Sequence, residues 1–223
     1  MKTMQKGFTL VEIAIVLVII GLLLGGILKG QEMITQAKIK NVMADFSGIS
    51  AAYHGYQDRY RRLPGDDNQA AARWTDLTAG AANDDGDGNG VVAGAYNGAG
   101  SIESRNFWLH LRKSGFVAGT GKDQPFNALT GMLGVQTGNG ATPPVAALLD
   151  AGGPGFVGLI MCSANLPDKV AIAVDTQMDD GLAGKGTVRA LAQAAPNPPI
   201  GAVDATVAYA ETGSNVYTIC RAL

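Results

Sequence analysis

From Phe8 to Leu28 the chain reads FTLVEIAIVLVIIGLLLGGIL, 21 residues with one formal charge, Glu12. A run of that length predicts a helix able to cross a bilayer core of about 30 Å. The polarity changes at Lys29, but the helical pattern continues. Val42, Phe46, Ile49, Tyr53, Tyr56, Tyr60 and Leu63 recur at alternating spacings of four and three, which is one face of an amphipathic helix. Lys40, Asp45, Gln57 and Arg61 fall on the opposite face. Pro64-Gly65 is expected to end the helix, with Arg59, Arg61 and Arg62 in its last turns, where cations suit the dipole. One helix from Phe8 to Leu63 would run about 80 Å.

Beyond Pro64 the pattern is loop-rich as far as Gly100. Ser101–Ser114 then predicts a short helix, capped by Ser101 and closed by Gly115, with Phe107, Trp108 and Leu111 toward a core and His110 at the surface or hydrogen-bonded. Phe156–Cys162, Lys169–Asp175, Thr187–Leu191, Thr206–Ala210 and Asn215–Arg221 read as strands, being short apolar or alternating runs between turn signals. Asp179-Asp180-Gly181 marks a turn, and Pro196–Pro199 breaks the connection that follows. A helix followed by an antiparallel sheet is an α+β arrangement. The organisation expected is a short leader at 1–7, a membrane helix at 8–30, an amphipathic helix at 31–63 and a globular head at 64–223.

Composition sharpens this picture. Hydrophobic residues are 47% and charged residues 16%, and the apolar excess lies in the first thirty residues rather than in the head. The net charge of −2 offers no basic surface for nucleic acid. Lys2 and Lys6 precede the apolar run and orient the N-terminus to the cytoplasm, with the head on the outer side. A cleaved secretory signal would have a shorter apolar core and a small-residue cleavage site, whereas Lys29-Gly30-Gln31-Glu32 follows here. Glu12 argues against a plain anchor, because an intramembrane carboxylate is costly and marks function by default. The alternative is that it reaches the interface near the helix start, where the dipole favours negative charge. Cys162 and Cys220 could form one bridge in an oxidising compartment or stay as two buried thiols.

Lys6-Gly7-Phe8-Thr9-Leu10-Val11-Glu12 resembles the prepilin peptidase site of type IV pilins and type II secretion pseudopilins. The resemblance implies cleavage after Gly7, N-methylation of Phe8, and pairing of Glu12 with the N-terminal amine of a neighbouring subunit during assembly. A buried carboxylate and a buried amine each need a partner, and an unclosed head-to-tail contact propagates into a filament. The resemblance also implies a long helix packed on an antiparallel sheet, and a C-terminal disulfide, which Cys162 and Cys220 would supply. One departure is plain: many pilins carry a proline midway along the apolar helix, and none occurs between Phe8 and Leu63. Gly21, Gly25, Gly26 and Gly30 are the candidate weak points there, or else sites of close helix packing.

Asn83–Gly90 reads NDDGDGNG. Asp85, Asp87, Asn89 and Gly90 fit the first half of a calcium loop, with alternating hard oxygens on a glycine turn. The closing glutamate of that motif would fall at Tyr96, so Glu103 is the candidate replacement. The expected metal set is therefore Asp85, Asp87, Asn89 and Glu103 with calcium as cofactor, and the alternative is a flexible acidic loop. Asp175, Asp179 and Asp180 form a second cluster, read as hairpin chemistry. No nucleophile–base pair, phosphate loop or HExxH occurs, so no enzyme is expected.

The expected function is a structural subunit of a type IV filament, pilus or pseudopilus. Its partners would be prepilin peptidase and other pilin or pseudopilin subunits. It would sit in the bacterial inner membrane before assembly and then in a surface filament or periplasmic pseudopilus. The runner-up is a tip-located minor pilin whose head binds a surface, DNA or exported cargo. Subunits at a tip sometimes lack the glutamate that Glu12 supplies here.

Overall fold

The computed structural model describes residues 9–80, 83–100, 102–139, 155–200 and 208–223. The chain divides into two compact units, one ending at Lys38 and one beginning at Ile39. Helix α1, Leu10–Tyr60, belongs to both. Its first part is apolar and exposed, and the helix is long and apolar enough to cross a membrane. In the second unit Ile39, Val42, Phe46, Ile49, Ala52, Tyr53 and Tyr56 are buried, which is the expected stripe extended one turn upstream. Tyr60 and Leu63 are only half-buried. The helix stops at Tyr60, short of Pro64. Arg61 takes the left-handed conformation at φ 54° and donates its N–H to the Gln57 carbonyl at 2.8 Å, a C-terminal cap that precedes the proline.

Two further helices follow α1 before the sheet, a single turn α2, Ala70–Arg73, and α3, Glu103–Lys113. Phe107, Trp108 and Leu111 of α3 are fully buried, as their spacing predicts. Ser101 lies outside the described residues, and the helix begins instead after Ile102, with Glu103 in its first turn. Gly115 follows the C-terminus at φ 79°.

The sheet has the order β1-β2-β4-β3 and is antiparallel throughout, formed by β1, Leu133–Asn139, β2, Val157–Pro167, β3, Val188–Ala192, and β4, Val216–Ala222. A last helix, α4, Asp168–Met178, lies between β2 and β3 in the chain. The two faces of the sheet bury different things. Leu133, Val135, Leu159, Met161, Val188, Ala190, Tyr217 and Ile219 join α1, α3 and α4 in the main core. Phe156, Ile160, Cys162, Ala164 and Cys220 meet Tyr96 and Ile200 in a smaller cluster on the other face. The alternation along β2 is the period of two that a pleated strand imposes. Each fully buried large apolar side chain contributes about 1.5–3 kcal/mol.

Several expectations need correcting. Lys169–Asp175 is not a strand but part of helix α4. Val170, Ala171 and Val174 are buried at helical spacing, and Pro167-Asp168 opens the helix. Its β-branched residues suggest a strand, but packing against the sheet decides otherwise. Consequently Asp179-Asp180-Gly181 closes a helix rather than turning a hairpin. Strand β1 is absent from the expected set because Gly134 and Gly138, between Leu133, Val135 and Thr137, lower its strand propensity and read as turn signals. Thr206 and Val207 lie outside the described residues, and Ala208–Ala210 form no strand. The other strands differ by shifted ends, and β2 runs five residues past Cys162. Cys162 and Cys220 face each other across β2 and β4 and are joined by a disulfide, which ties the last strand to a central one.

Candidate functional site

Gly7 and Phe8 lie outside the described residues, so the N-terminal site is seen from Thr9 onward. Thr9 stands just before the first turn of α1, and Glu12 lies within that turn. The Glu12 carboxylate accepts hydrogen bonds from the Thr9 backbone N–H at 2.8 Å and from the Thr9 hydroxyl at 2.7 Å. The Glu12 N–H donates back to the Thr9 hydroxyl at 3.3 Å. This is a reciprocal capping box, which satisfies two backbone donors that a helix start otherwise leaves open. The pattern Thr9-x-x-Glu12 was readable in the sequence, and Thr9 is the residue that sequence reasoning passed over.

The acidic loop is organised by the chain that follows α1. Gly86 lies on Asp66 so closely that a Cβ would stand 2.2 Å from the Asp66 backbone. Gly65, at φ 93°, packs on the start of α3, where a Cβ would meet the Glu103 carbonyl at 2.6 Å. Glycine is required at both positions. The close approach puts Asp66, absent from the expected set, at the centre of the loop. Its carboxylate accepts from the N–H groups of Gly88, Asn89 and Gly90 at 2.8, 3.0 and 2.8 Å. Glu103 reaches the same loop, accepting from the Asp87 N–H at 2.9 Å and the Ala93 N–H at 2.8 Å.

Carboxylate oxygens of Asp66, Asp87 and Glu103 lie within 4.8 Å of one another. Burial pushes the carboxyls of Asp66 and Glu103 above their ordinary values, and neighbouring acids add to the shift. The structure thus brings together two of the four expected metal residues, Asp87 and Glu103, and adds Asp66. Asp85 is buried and turned away to accept from the Ala71 and Gly80 N–H groups at 2.7 and 3.0 Å. Asn89 spends its side chain within the loop, donating to Asp87 at 2.7 Å and accepting from the Val91 N–H at 2.8 Å. Nothing local in the sequence links Asp66 to a loop some twenty residues away.

Two buried groups fix this region to the helices. Asp67 is fully buried, accepts the Tyr56 hydroxyl at 2.6 Å and pairs with Arg73, whose guanidinium lies 4.8 Å over the Tyr60 ring. His110, also fully buried, accepts the Gly65 N–H on Nδ1 at 2.9 Å, so Nε2 carries the proton and donates to the Asp84 carbonyl at 2.7 Å. Burial lowers the His110 pKa to about 4, so the ring is neutral at pH 7.

A second trio, Asp175, Asp179 and Asp180, also places carboxylate oxygens within 4.8 Å of one another. Either acidic cluster could bind a metal on this geometry.

Searches of curated proteins and of solved structures return no match to the chain. A family model does match: the prokaryotic N-terminal methylation motif, over residues 2–28. That segment contains Gly7 and Phe8 as well as the Thr9–Glu12 box and the whole apolar run to Leu28. The motif implies processing by prepilin peptidase and assembly with other pilins, and together with one apolar N-terminal helix it indicates inner-membrane anchoring before assembly. With a long helix, an antiparallel sheet and a C-terminal disulfide, the chain has an α+β pilin-like fold and bears the N-terminal methylation motif typical of type IV pilins and type II secretion pseudopilins, to which it is similar.

Proposed function

We propose that this chain is a structural, non-enzymatic subunit of a type IV filament, either a pilus or a pseudopilus. The observation that carries the reading is the methylation motif at residues 2–28, at the head of a helix whose apolar surface is exposed. In this reading prepilin peptidase cuts after Gly7 and Phe8 is N-methylated. Glu12 then exchanges its bonds to Thr9 for the cationic amine of a neighbouring subunit. The apolar helix holds the subunit in the inner membrane with its head outside, and later forms the filament core. N-terminal sequencing of the membrane-extracted protein tests this. The expected mature chain begins at N-methylated Phe8, and a chain beginning at Met1 or beyond residue 30 would overturn it.

The acidic loop supports a calcium role within the same reading. Each carboxylate of Asp66, Asp87 and Glu103 already accepts N–H donors, but Asp66 Oδ2, Asp87 Oδ1 and Glu103 Oε1 each take one donor and keep a further lone pair. A calcium ion would add to those bonds and offset the mutual repulsion of the three acids. Asp85 and Asn89 would then support the loop rather than ligate.

A further inference from the structure

Helix α4 ends on an excess of negative charge. Its last turn holds no basic residue, yet Asp175, Asp179 and Asp180 gather at this end, where the helix dipole is already negative. Among the described residues none of the three carboxylates makes a salt bridge. Two of them are partly engaged. Asp179 Oδ2 accepts from the Thr187 and Val188 N–H groups at 2.5 and 2.9 Å, an approach that Gly186 permits, since a Cβ there would stand 2.0 Å from that oxygen. Asp180 Oδ1 accepts the Leu182 N–H at 2.8 Å.

Asp175 is the decisive member. It is fully buried, and its Oδ2 accepts the Tyr209 hydroxyl at 2.7 Å. Its Oδ1 is also buried and has no hydrogen-bond partner among the described residues. The Gly181 N–H acts on this carboxyl without reaching hydrogen-bond geometry. A buried acceptor left unmade is costly, and a buried carboxylate more so. Here that acceptor belongs to a residue whose carboxylate lies within 4.8 Å of two others. The three grade from buried Asp175 through half-buried Asp179 to exposed Asp180, leaving the cluster open to solvent on one side.

We propose that Asp175, Asp179 and Asp180 form a divalent-cation site of the calcium class. All the donors are hard oxygens, and the carbonyls at the end of α4 and water can complete a shell of six to eight. The ion would supply the counter-charge that the helix end lacks and a partner for Asp175 Oδ1. It would also clamp α4 to the start of β3 through Asp179. The site is separate from the Asp66 loop and independent of the filament role.

The test uses full-length protein in detergent micelles, with terbium as a luminescent probe for calcium. Tyr209 bonds Asp175 directly and so serves as the donor for sensitised terbium emission. Saturable emission competed by calcium is expected, as is a higher melting temperature in millimolar calcium than in chelator. In an Asp87→Asn background, which disables the loop site, Asp180→Asn, an exposed change that spares folding, should lower the apparent affinity at least tenfold and remove the remaining melting shift. Asp175→Asn should do the same. Both variants should melt no lower than the Asp87→Asn parent in chelator, because each removes repulsion. Asp87→Asn alone should lose only the loop's share of the emission and shift, and the remainder should stay saturable. The proposal is overturned by absent saturable emission, by loss of all the response in Asp87→Asn alone, or by an undiminished response when Asp180→Asn is added to Asp87→Asn.

Discussion

Glu12 and Thr9 hold each other at the start of α1, and this changes what a substitution at either position should do. Glu12→Val removes both the cap and the proposed partner of a neighbour's amine. It is expected to leave the protein in the membrane while incorporation into sheared filaments falls more than about tenfold, the scale of an uncompensated buried charge. Thr9→Val loosens the cap but leaves the carboxylate, so incorporation should stay close to wild type. Immunoblots of filament and membrane fractions compare the two. Normal incorporation of Glu12→Val would reduce the residue to a helix cap. The pattern Thr9-x-x-Glu12 makes the box legible from spacing alone, whereas Asp66 is not, because its role depends on a close approach between Gly86 and Asp66 that no local pattern encodes.

At the scale of elements, the spacing of four and three from Val42 to Tyr56 identified the buried stripe of α1. That worked because the pattern is long. The eleven residues of α4 were too few, and too rich in Val and Ile, for period to be separated from propensity. Strand β1 was hidden by glycines that serve close approach: a Cβ at Gly134 would lie 2.1 Å from the Tyr96 carbonyl. The Cys162–Cys220 bridge joins β2 to β4 and sits in the small cluster under Tyr96 and Ile200. Cys220→Ser is therefore expected to cost about 2–5 kcal/mol, with loosening concentrated at the last strand. Denaturant titration with hydrogen exchange over Val216–Ala222 checks this, and an unchanged midpoint would count against a stabilising bridge.

For the whole molecule, acid stability rests on opposing groups. His110 is neutral and buried, with a folded pKa near 4 against an ordinary 6.5. Its contribution is fully present above pH 6.5 and is lost as pH falls toward 4, by at most about 3 kcal/mol. Asp66 and Glu103 act in the opposite sense. Their raised values mean that protonation relieves them as pH falls through the folded pKa. Melting temperatures between pH 7 and 4 should therefore drop less steeply in His110→Gln than in wild type. Equal slopes would show that His110 does not set the acid response. The α+β plan was legible because the apolar run and the amphipathic stripe occupy one continuous stretch. The anchoring of the 64–110 region by Asp66, Asp67 and His110 was not, because each bonds to partners distant in the chain.

The capping box has a kinetic meaning for the proposed assembly. A subunit waiting in the bilayer does not present a bare anion, since its carboxylate is already occupied by its own helix start. Joining a filament is then an exchange of ligands rather than the capture of a vacant one. Two idle subunits meeting by chance would gain only the difference between two bonded states. Growth would be confined to the place where the assembly apparatus presents an amine in register, and the membrane could hold a dense reserve of subunits without spontaneous polymerisation.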